Sequence, residues 1–221
     1  CNNNGLFLIE DCAHIVGGGA GTFGDINVFS FYSTKPISCG GQGGMITTNL
    51  TTYANKLKLL RNHNMSSALD RQYNWQYDVE EPGYNYCMTE MQAALGLSQL
   101  SKVEENNWER ITKATYLTEL LHNVRGIITP ISKFYHNYHL YTIRVTKDYP
   151  LTRDELYLHL KKSGIDSTIK YIPIHHFSYY KKYANNLLVT DKIANEVLCL
   201  PIYSRIEYSQ LEYIVKVINN V

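Results

Sequence analysis

Side chains of three different chemical types occur at the ends of short apolar segments in the first quarter of the chain. Asp11 follows the run that ends at Ile9, while Ser30 and Lys35 lie around the end of the next run. A glycine-rich segment, 40–44, leads into a third run. A lysine amine can form an imine with an aldehyde, a carboxylate can keep a ring nitrogen protonated, and a hydroxyl can bind a phosphate. These are the groups that pyridoxal phosphate (PLP) requires of a protein.

Each of these features also has a common structural explanation. An aspartate after a strand usually caps a helix, and a loop lysine is usually a solvated charge. A run of glycines usually forms turns. Spacing alone therefore leaves PLP binding open.

The five cysteines do not form a recognisable site. They lie far apart and include no C-x-x-C pair, which argues against a zinc site and against a disulfide framework. Cys39 lies among glycines, but no residue near it in sequence is an obvious base that would generate a thiolate. We therefore expect scattered, reduced thiols and no metal site.

The spacing of apolar residues predicts the elements that position these side chains. The runs 6–9, 27–32 and 45–48 predict buried strands of an α/β sheet. Helical spacing follows Thr51, and the polar, aromatic segment 62–86 predicts a long functional loop. Apolar positions from Met91 to Leu120 predict a long amphipathic helical stretch that links two lobes. We expect a large domain at 1–100, a linking helix and loop at 101–135, and a small domain at 136–221.

The small domain is predicted to be an α+β unit. Segments 139–145 and 165–171 predict strands, and segments 193–198 and 209–218 predict closing helices. Thr152, followed three residues later by Glu155, predicts the N-terminus of a further helix that ends at Gly164.

Charge and hydropathy exclude several functional classes. The chain has 21 Lys and Arg against 20 Asp and Glu, so no excess charge indicates binding to nucleic acid or to a membrane surface. No apolar stretch reaches the ~20 residues that span a bilayer, and no leader sequence is seen, so we expect a cytoplasmic protein. The chain starts at Cys1 in what reads as the interior of a domain, which predicts that an N-terminal part is missing.

Several segments resemble the DegT/StrS family of sugar aminotransferases. The resemblance is nearly continuous over 9–14 (IEDCAH), 24–35 (GDINVFSFYSTK) and 41–49 (GQGGMITTN), and continues through 60–63, 83–86, 92–97, 139–141, 171–175 and 200–201. It implies the large domain of a fold type I PLP-dependent aminotransferase, present in part, followed by the C-terminal small domain.

The resemblance also implies cofactor-binding roles. Lys35 would form the Schiff base with PLP and move the proton during transamination, and Asp11 would pair with the pyridinium nitrogen. His14 would lie beside the cofactor ring, and Ser30 would donate to the cofactor phosphate. Asn85 would reach the phosphate in the neighbouring subunit, which implies a homodimer with shared active sites. Without the resemblance, Asn85 would be read as a turn residue and His14 equally well as a buried structural histidine.

Substrate binding is implied for Tyr32, His63 and His175, although tyrosine and histidine are also common packing residues. The chain departs from the family pattern at Gln42, where an acid is usual, and at Cys87, where arginine is frequent. These departures affect the prediction of specificity and not that of the cofactor.

The implied reaction moves an amino group from L-glutamate to the C4 keto group of a UDP-linked 4-keto-6-deoxy-N-acetyl sugar, as in pseudaminic acid and polysaccharide biosynthesis. A dTDP-4-amino-4,6-dideoxyglucose transaminase is the alternative, because short motifs rarely separate sugars. A further alternative is a catalytically incomplete fragment that only dimerises or binds a sugar nucleotide. Dehydratase relatives carry histidine in place of the lysine, so Lys35 argues against that activity.

Overall fold

The computed structural model describes residues 1–66, 73, 75–131 and 135–221, and within them the chain divides into two compact units. Unit 1 comprises 1–104 and unit 2 comprises 105–221. Both units contain helices and strands. The finer division at 100 and 135 stays a prediction.

Unit 1 contains a three-stranded sheet in the order β1–β2–β3. β1 (Ile9–Asp11) and β2 (Ile26–Ser30) are parallel, with Asp11 opposite Val28. β3 (Gly44–Thr47) is antiparallel to β2, with Ser30 opposite Gly44. The first predicted run overlaps β1 only at Ile9, whereas the other two overlap most of β2 and β3 and end one or two residues beyond them.

The prediction that these strands are buried is wrong for β1 and β3. All four residues of β3 are exposed, and Ile9 in β1 is 62% exposed, because no described element of unit 1 covers them. The hydrophobic core cluster of this unit is small and consists of the buried residues Phe31, Ile37, Cys39 and Val103.

Among the described residues, the remaining α-helices and strands of unit 1 are two helices and a short antiparallel strand pair. Thr89 caps α2, because its hydroxyl accepts from the Gln92 amide while the Gln92 side chain accepts from the Thr89 amide, a reciprocal capping box. The elements are α1 (Thr51–Leu60), β4 (Met65–Ser66), β5 (Asp78–Val79) and α2 (Glu90–Leu100).

Unit 2 contains an antiparallel sheet in the order β6–β7–β8 with a substantial core. The core joins α3, β7, α4, β8 and α6, and includes Leu117, Ile143, Leu160 and Leu211. None of the helices in the described ranges is both long and apolar enough to cross a membrane. The elements are α3 (Val103–Leu121), β6 (Ile127–Ile128), β7 (Tyr141–Val145), α4 (Arg153–Lys162), α5 (Leu188–Ala194), β8 (Val197–Leu200) and α6 (Tyr208–Asn219).

Three predicted elements of unit 2 are confirmed and two are wrong. The strand at 139–145, the capped helix after Thr152 and the helix at 209–218 correspond to β7, α4 and α6. The predicted strand at 165–171 is reduced to an isolated bridge between Thr168 and Cys199. The predicted helix at 193–198 is wrong, because α5 ends at Ala194 and β8 begins at Val197. The long helical stretch is two helices, α2 and α3, interrupted at 101–102.

Candidate active site

The carboxyl ends of β1 and β2 bring three of the predicted side chains to one edge of the sheet. Because the two strands are parallel, their carboxyl ends lie at the same edge. Asp11 is the last residue of β1, and Ser30 is the last residue of β2. Lys35 follows in the connection that leaves this edge towards β3. An acid, a hydroxyl and an amine are thus placed on neighbouring segments.

The connection after β2 is held by two backbone hydrogen bonds, one of them to the glycine-rich segment. The Ser33 amide donates to the Gly41 carbonyl at 3.1 Å, and the Lys35 amide donates to the Tyr32 carbonyl at 2.9 Å. Gly41 has a φ of 149°, and a Cβ built there would meet no heavy atom within 4 Å. The position therefore favours glycine for its backbone conformation, and open space lies beside the loop. Lys35 is half-buried, whereas Tyr32 is 42% exposed.

The loop before β2 is tied to β1 by Glu10. One carboxylate oxygen of Glu10 accepts from the Gly21 amide at 2.9 Å, and the other accepts from the Phe23 and Gly24 amides at 3.0 and 3.2 Å. These bonds, that from Gly21 foremost, lower the pKa of Glu10. Asp11, the next residue, is exposed and accepts from the Ala13 amide at 3.0 Å. Glu10 thus holds residues 21–24, in the loop before β2, against β1.

The structure also explains why the thiols of this region are poor nucleophiles. Cys12 and Cys39 are both buried, at 1% exposure. Burial raises the pKa of Cys12 to about 11 and also raises the pKa of Cys39. Both thiols therefore stay protonated at neutral pH, in agreement with the expectation of inert cysteines.

His63 and Asn85 are brought together by a second contact in unit 1. Asn62 and Asn85 form an antiparallel bridge, and the His63 amide donates to the Tyr84 carbonyl at 2.8 Å. His63 has a φ of 58°, an uncommon conformation for a residue with a side chain. Gly83 permits this close approach, since a Cβ there would lie 2.3 Å from the His63 carbonyl carbon. Both predicted side chains are exposed.

The start of α2 contacts the glycine-rich segment 40–44. The Gln92 side-chain amide donates to the Gln42 carbonyl at 3.0 Å, and the Met88 sulfur would lie 3.4 Å from a Cβ at Gly43. The same Gln92 completes the capping box of α2. The start of α2 therefore packs against the loop that follows Lys35.

His175 lies in unit 2, within a short 3-10 turn at Ile174–His176. Its Nε2 is 2.8 Å from Oδ1 of Asp191 in α5, and Nε2 of His176 is also 2.8 Å from that oxygen. These contacts, that with His175 foremost, lower the pKa of Asp191. Neither His176 nor Asp191 was predicted as a site residue. The adjacent histidines are visible in the sequence, but Asp191 is 16 residues away from His175 and has no distinctive pattern.

Comparison with known proteins gives the family. The sequence profile of the DegT/DnrJ/EryC1/StrS aminotransferase family matches residues 1–219. The chain belongs to this family. Aminotransferases of the DegT family use PLP.

Proteins similar in sequence to this chain include several whose names refer to sugars or polysaccharides. The chain is 37% identical to the spore coat polysaccharide biosynthesis protein SpsC of Bacillus subtilis, over 81% of this chain and 49% of that protein. It is 30% identical to GDP-perosamine synthase of Caulobacter vibrioides, over 98% and 59% respectively. It is 27% identical to UDP-4-amino-4,6-dideoxy-N-acetyl-beta-L-altrosamine transaminase of Campylobacter jejuni, over 94% and 56%. The chain thus spans about half the length of these relatives.

Solved structures confirm the predicted α/β aminotransferase fold, present in part. The Helicobacter pylori aminotransferase PseC superposes with a TM-score of 0.89 at 24% identity, over 99% of this chain and 60% of that protein. A family aminotransferase from Brucella abortus superposes with a TM-score of 0.83 at 29% identity, over 99% and 58%.

The functional groups near the edge where β1 and β2 end are chemically suited to the cofactor of the family. A carboxylate, a hydroxyl and an amine match the ring nitrogen, the phosphate and the aldehyde of PLP. The open space beside Gly41 adjoins the connection after β2 that carries Lys35. The thiols of Cys12 and Cys39 are buried and do not compete as nucleophiles.

Proposed function

We propose that this chain carries the cofactor-holding lysine of a PLP-dependent aminotransferase that acts on a nucleotide-linked keto sugar. The observation that carries the proposal is the placement of Asp11, Ser30 and Lys35 at one edge of a parallel strand pair, in a chain of the DegT family. Enzymes of the open α/β type bind ligands at the carboxyl ends of their strands.

Each residue of this edge has a chemical role in the proposal. When bound, PLP supplies an electron-accepting ring and an aldehyde that carries the amino group. Lys35 Nζ holds the cofactor covalently and moves the proton at the substrate carbon that is aminated. The Asp11 carboxylate holds the proton on the ring nitrogen, because an adjacent negative charge favours the protonated form. Ser30 donates to the phosphate, and His14 lies against the ring.

The remaining predicted residues belong to substrate binding and to assembly. Tyr32 and His63 are exposed, as side chains that approach a sugar must be, and His175 is oriented by Asp191. Asn85 is exposed in the segment that pairs with Asn62, which leaves it available to a second subunit. We therefore propose a cytoplasmic homodimer with shared active sites and L-glutamate as the amino donor.

For the acceptor, we propose the C4 keto group of a UDP-linked 4-keto-6-deoxy-N-acetyl sugar. The support is the similarity to a UDP-4-amino-4,6-dideoxy-N-acetyl-beta-L-altrosamine transaminase over most of the chain. A second candidate is a 4-keto-6-deoxyhexose linked to another nucleotide, which the identity with GDP-perosamine synthase favours. Short sequence motifs rarely separate sugars, so both belong in the substrate panel.

Chemical trapping tests the assignment of Lys35. The purified chain is incubated with PLP, reduced with borohydride, digested and examined by mass spectrometry. We expect the phosphopyridoxyl group on the peptide that contains Lys35, and its loss in Lys35→Ala. Lys102→Ala removes a different lysine of unit 1, one that is exposed, and should leave the labelling unchanged. Equal labelling of several lysines would show that Lys35 is not the specific attachment site.

Substrate assignment requires a separate assay. The longest protein that the gene encodes is incubated with glutamate and with UDP-, dTDP- and GDP-linked 4-keto-6-deoxy sugars. The masses of the reaction products are then measured by mass spectrometry. The expected product has an amine in place of the ketone, and Lys35→Ala should form none. Labelling of Lys35 without amination of any sugar would support the alternative of a chain that binds ligand without catalysis.

A further inference from the structure

A cluster of three potential metal ligands lies in unit 2. His175 and His176 belong to the 3-10 turn at Ile174–His176, and Asp191 belongs to α5. Both imidazole Nε2 atoms are 2.8 Å from the same oxygen, Asp191 Oδ1, and the three ligand atoms all lie within 4.8 Å of one another. The contacts join residues 15 and 16 positions apart in the chain.

We propose that His175, His176 and Asp191 form a binding site for a divalent transition metal ion such as Zn²⁺ or Co²⁺. The sequence predicted no metal site because it contains no cysteine pair, but two imidazoles and one carboxylate form a recognised ligand set without cysteine. Ions that prefer oxygen, such as Ca²⁺ and Mg²⁺, are disfavoured because two of the three ligands are nitrogen.

The distances are compatible with an ion after a small adjustment. Ligand atoms at a zinc ion lie about 2.0–2.2 Å from the metal, so neighbouring ligands are about 3.4 Å apart in a tetrahedral site. The two nitrogen-to-oxygen distances are 2.8 Å, which means that each pair must separate by roughly 0.6 Å. Rotation of the exposed His176 side chain and of Asp191 can supply this movement without a change in the backbone.

Burial and local structure favour a partly preformed site open on one side. The side chain of His175 is 14% exposed, whereas those of His176 and Asp191 are 45% and 37% exposed. The His176 amide donates to the Pro173 carbonyl, and the Asp191 amide donates to the Leu187 carbonyl, so both segments are held by their own backbone bonds. An ion can reach the exposed side, where water or a ligand would complete its coordination.

The competing explanation is a hydrogen-bonded clamp in which both imidazoles donate to Asp191 and no ion binds. The two explanations differ in one measurable property. A clamp has no affinity for metal beyond that of scattered surface histidines, whereas a site with three ligands binds one ion per chain and loses affinity when one ligand is removed.

Metal titration of the whole 221-residue chain distinguishes the two. The chain is freed of metal with a chelator, and its exposed thiols, Cys1 and Cys87, are blocked by alkylation. CoCl₂ and ZnCl₂ are then added in separate titrations followed by calorimetry and, for cobalt, by visible absorption. We expect one ion per chain and a cobalt spectrum without a sulfur charge-transfer band. His176→Gln and Asp191→Asn should each weaken binding at least about tenfold, because the loss of a group that only orients a metal ligand already costs about 10–100-fold.

One control variant and a measurement of folding make the result decisive. His122→Gln removes an exposed histidine outside the cluster and should leave both affinity and stoichiometry unchanged. Circular dichroism of each variant verifies that the fold is retained, and His176→Gln alters an exposed side chain, so it is expected to fold. Absence of stoichiometric binding by the unsubstituted chain, or equal binding by His176→Gln, would overturn the proposal and leave the hydrogen-bonded clamp.

Discussion

At the scale of single residues, Glu10 stabilises the loop next to the candidate active site through its charge. Its two oxygens accept three backbone amides from residues 21–24, and the pKa of the carboxyl group is lowered for that reason. Hydrogen bonds to an ionised acceptor are stronger than neutral ones. The ionised form of Glu10 is therefore the form that holds the loop.

The variant Glu10→Gln tests this role and its pH dependence. Because the pKa of Glu10 is lower in the folded state than the 4.5 of the free side chain, its stabilisation is fully present above pH 4.5 and is lost as the pH falls through the folded value. We expect the variant to be less stable by about 1 kcal/mol at pH 7, since a glutamine amide nitrogen cannot accept these bonds. Protonated Glu10 resembles glutamine, so the difference should shrink in acid.

Urea unfolding of both proteins at pH 7 and in acid measures this difference. Glu80→Gln alters an exposed carboxylate in the same unit and serves as the control. A stability difference that stays constant across the pH range would mean that the charge of Glu10 does not hold the loop.

The arrangement of the candidate site could be predicted from the sequence in part, and the remainder could not be predicted for a physical reason. Asp11, Ser30 and Lys35 lie at or shortly after the ends of apolar runs, so two parallel strands place them at the same edge of the sheet. Asp191 meets His175 only because a turn and a helix pack in three dimensions, and the local sequence carries no record of that contact.

At the scale of secondary structure elements, α4 begins with a capping box that the sequence predicted. The Thr152 hydroxyl accepts from the Glu155 amide at 3.3 Å, and the Glu155 carboxylate accepts from the Thr152 amide at 2.8 Å. The helix would otherwise begin with unsatisfied amide groups. This cap is therefore the local signal that fixes where α4 starts.

Thr152→Ala should lower the stability of unit 2 by about 1 kcal/mol, the usual cost of an N-cap replacement. Thr115→Ala is a matched control, because the Thr115 hydroxyl donates to the Ile111 carbonyl within α3 and caps nothing. Thermal unfolding followed by circular dichroism measures both changes. Equal effects of the two substitutions would show that the cap contributes no more than an ordinary helical threonine.

The elements that the sequence predicted wrongly lack such local signals. Leu198, Cys199 and Leu200 are all buried in β8, so their apolar run has neither the period of a strand nor that of an amphipathic helix. Of the expected helix at 193–198, only Ile193 and Ala194 are therefore helical, and Val197 and Leu198 belong to β8. Capped helices such as α4 were predicted well because the cap marks a position as well as a type.

At the scale of the whole chain, the two units differ in how much apolar surface they bury. Among the described residues, the core cluster of unit 2 contains 20 buried residues, whereas that of unit 1 contains four. Unit 1 instead exposes large apolar side chains on its strands and on α2, including Ile9, Met45, Met91 and Leu97. Because burial of apolar surface is the main stabilising contribution, unit 2 should be the more stable part of this chain.

Hydrogen exchange on the whole chain, with Leu160→Ala as a perturbation, tests this difference. Amides of β7 and β8 should exchange more slowly than those of β1 and β3 in the unsubstituted chain. Leu160 is fully buried in α4, so its truncation should cost about 2–5 kcal/mol and accelerate exchange throughout the core of unit 2. Leu158→Ala changes a leucine of the same helix that is 54% exposed, and should have little effect. If both variants accelerate exchange equally, burial of Leu160 does not determine the stability of this unit; if β1 is the better protected strand, the assignment of the more stable unit is wrong.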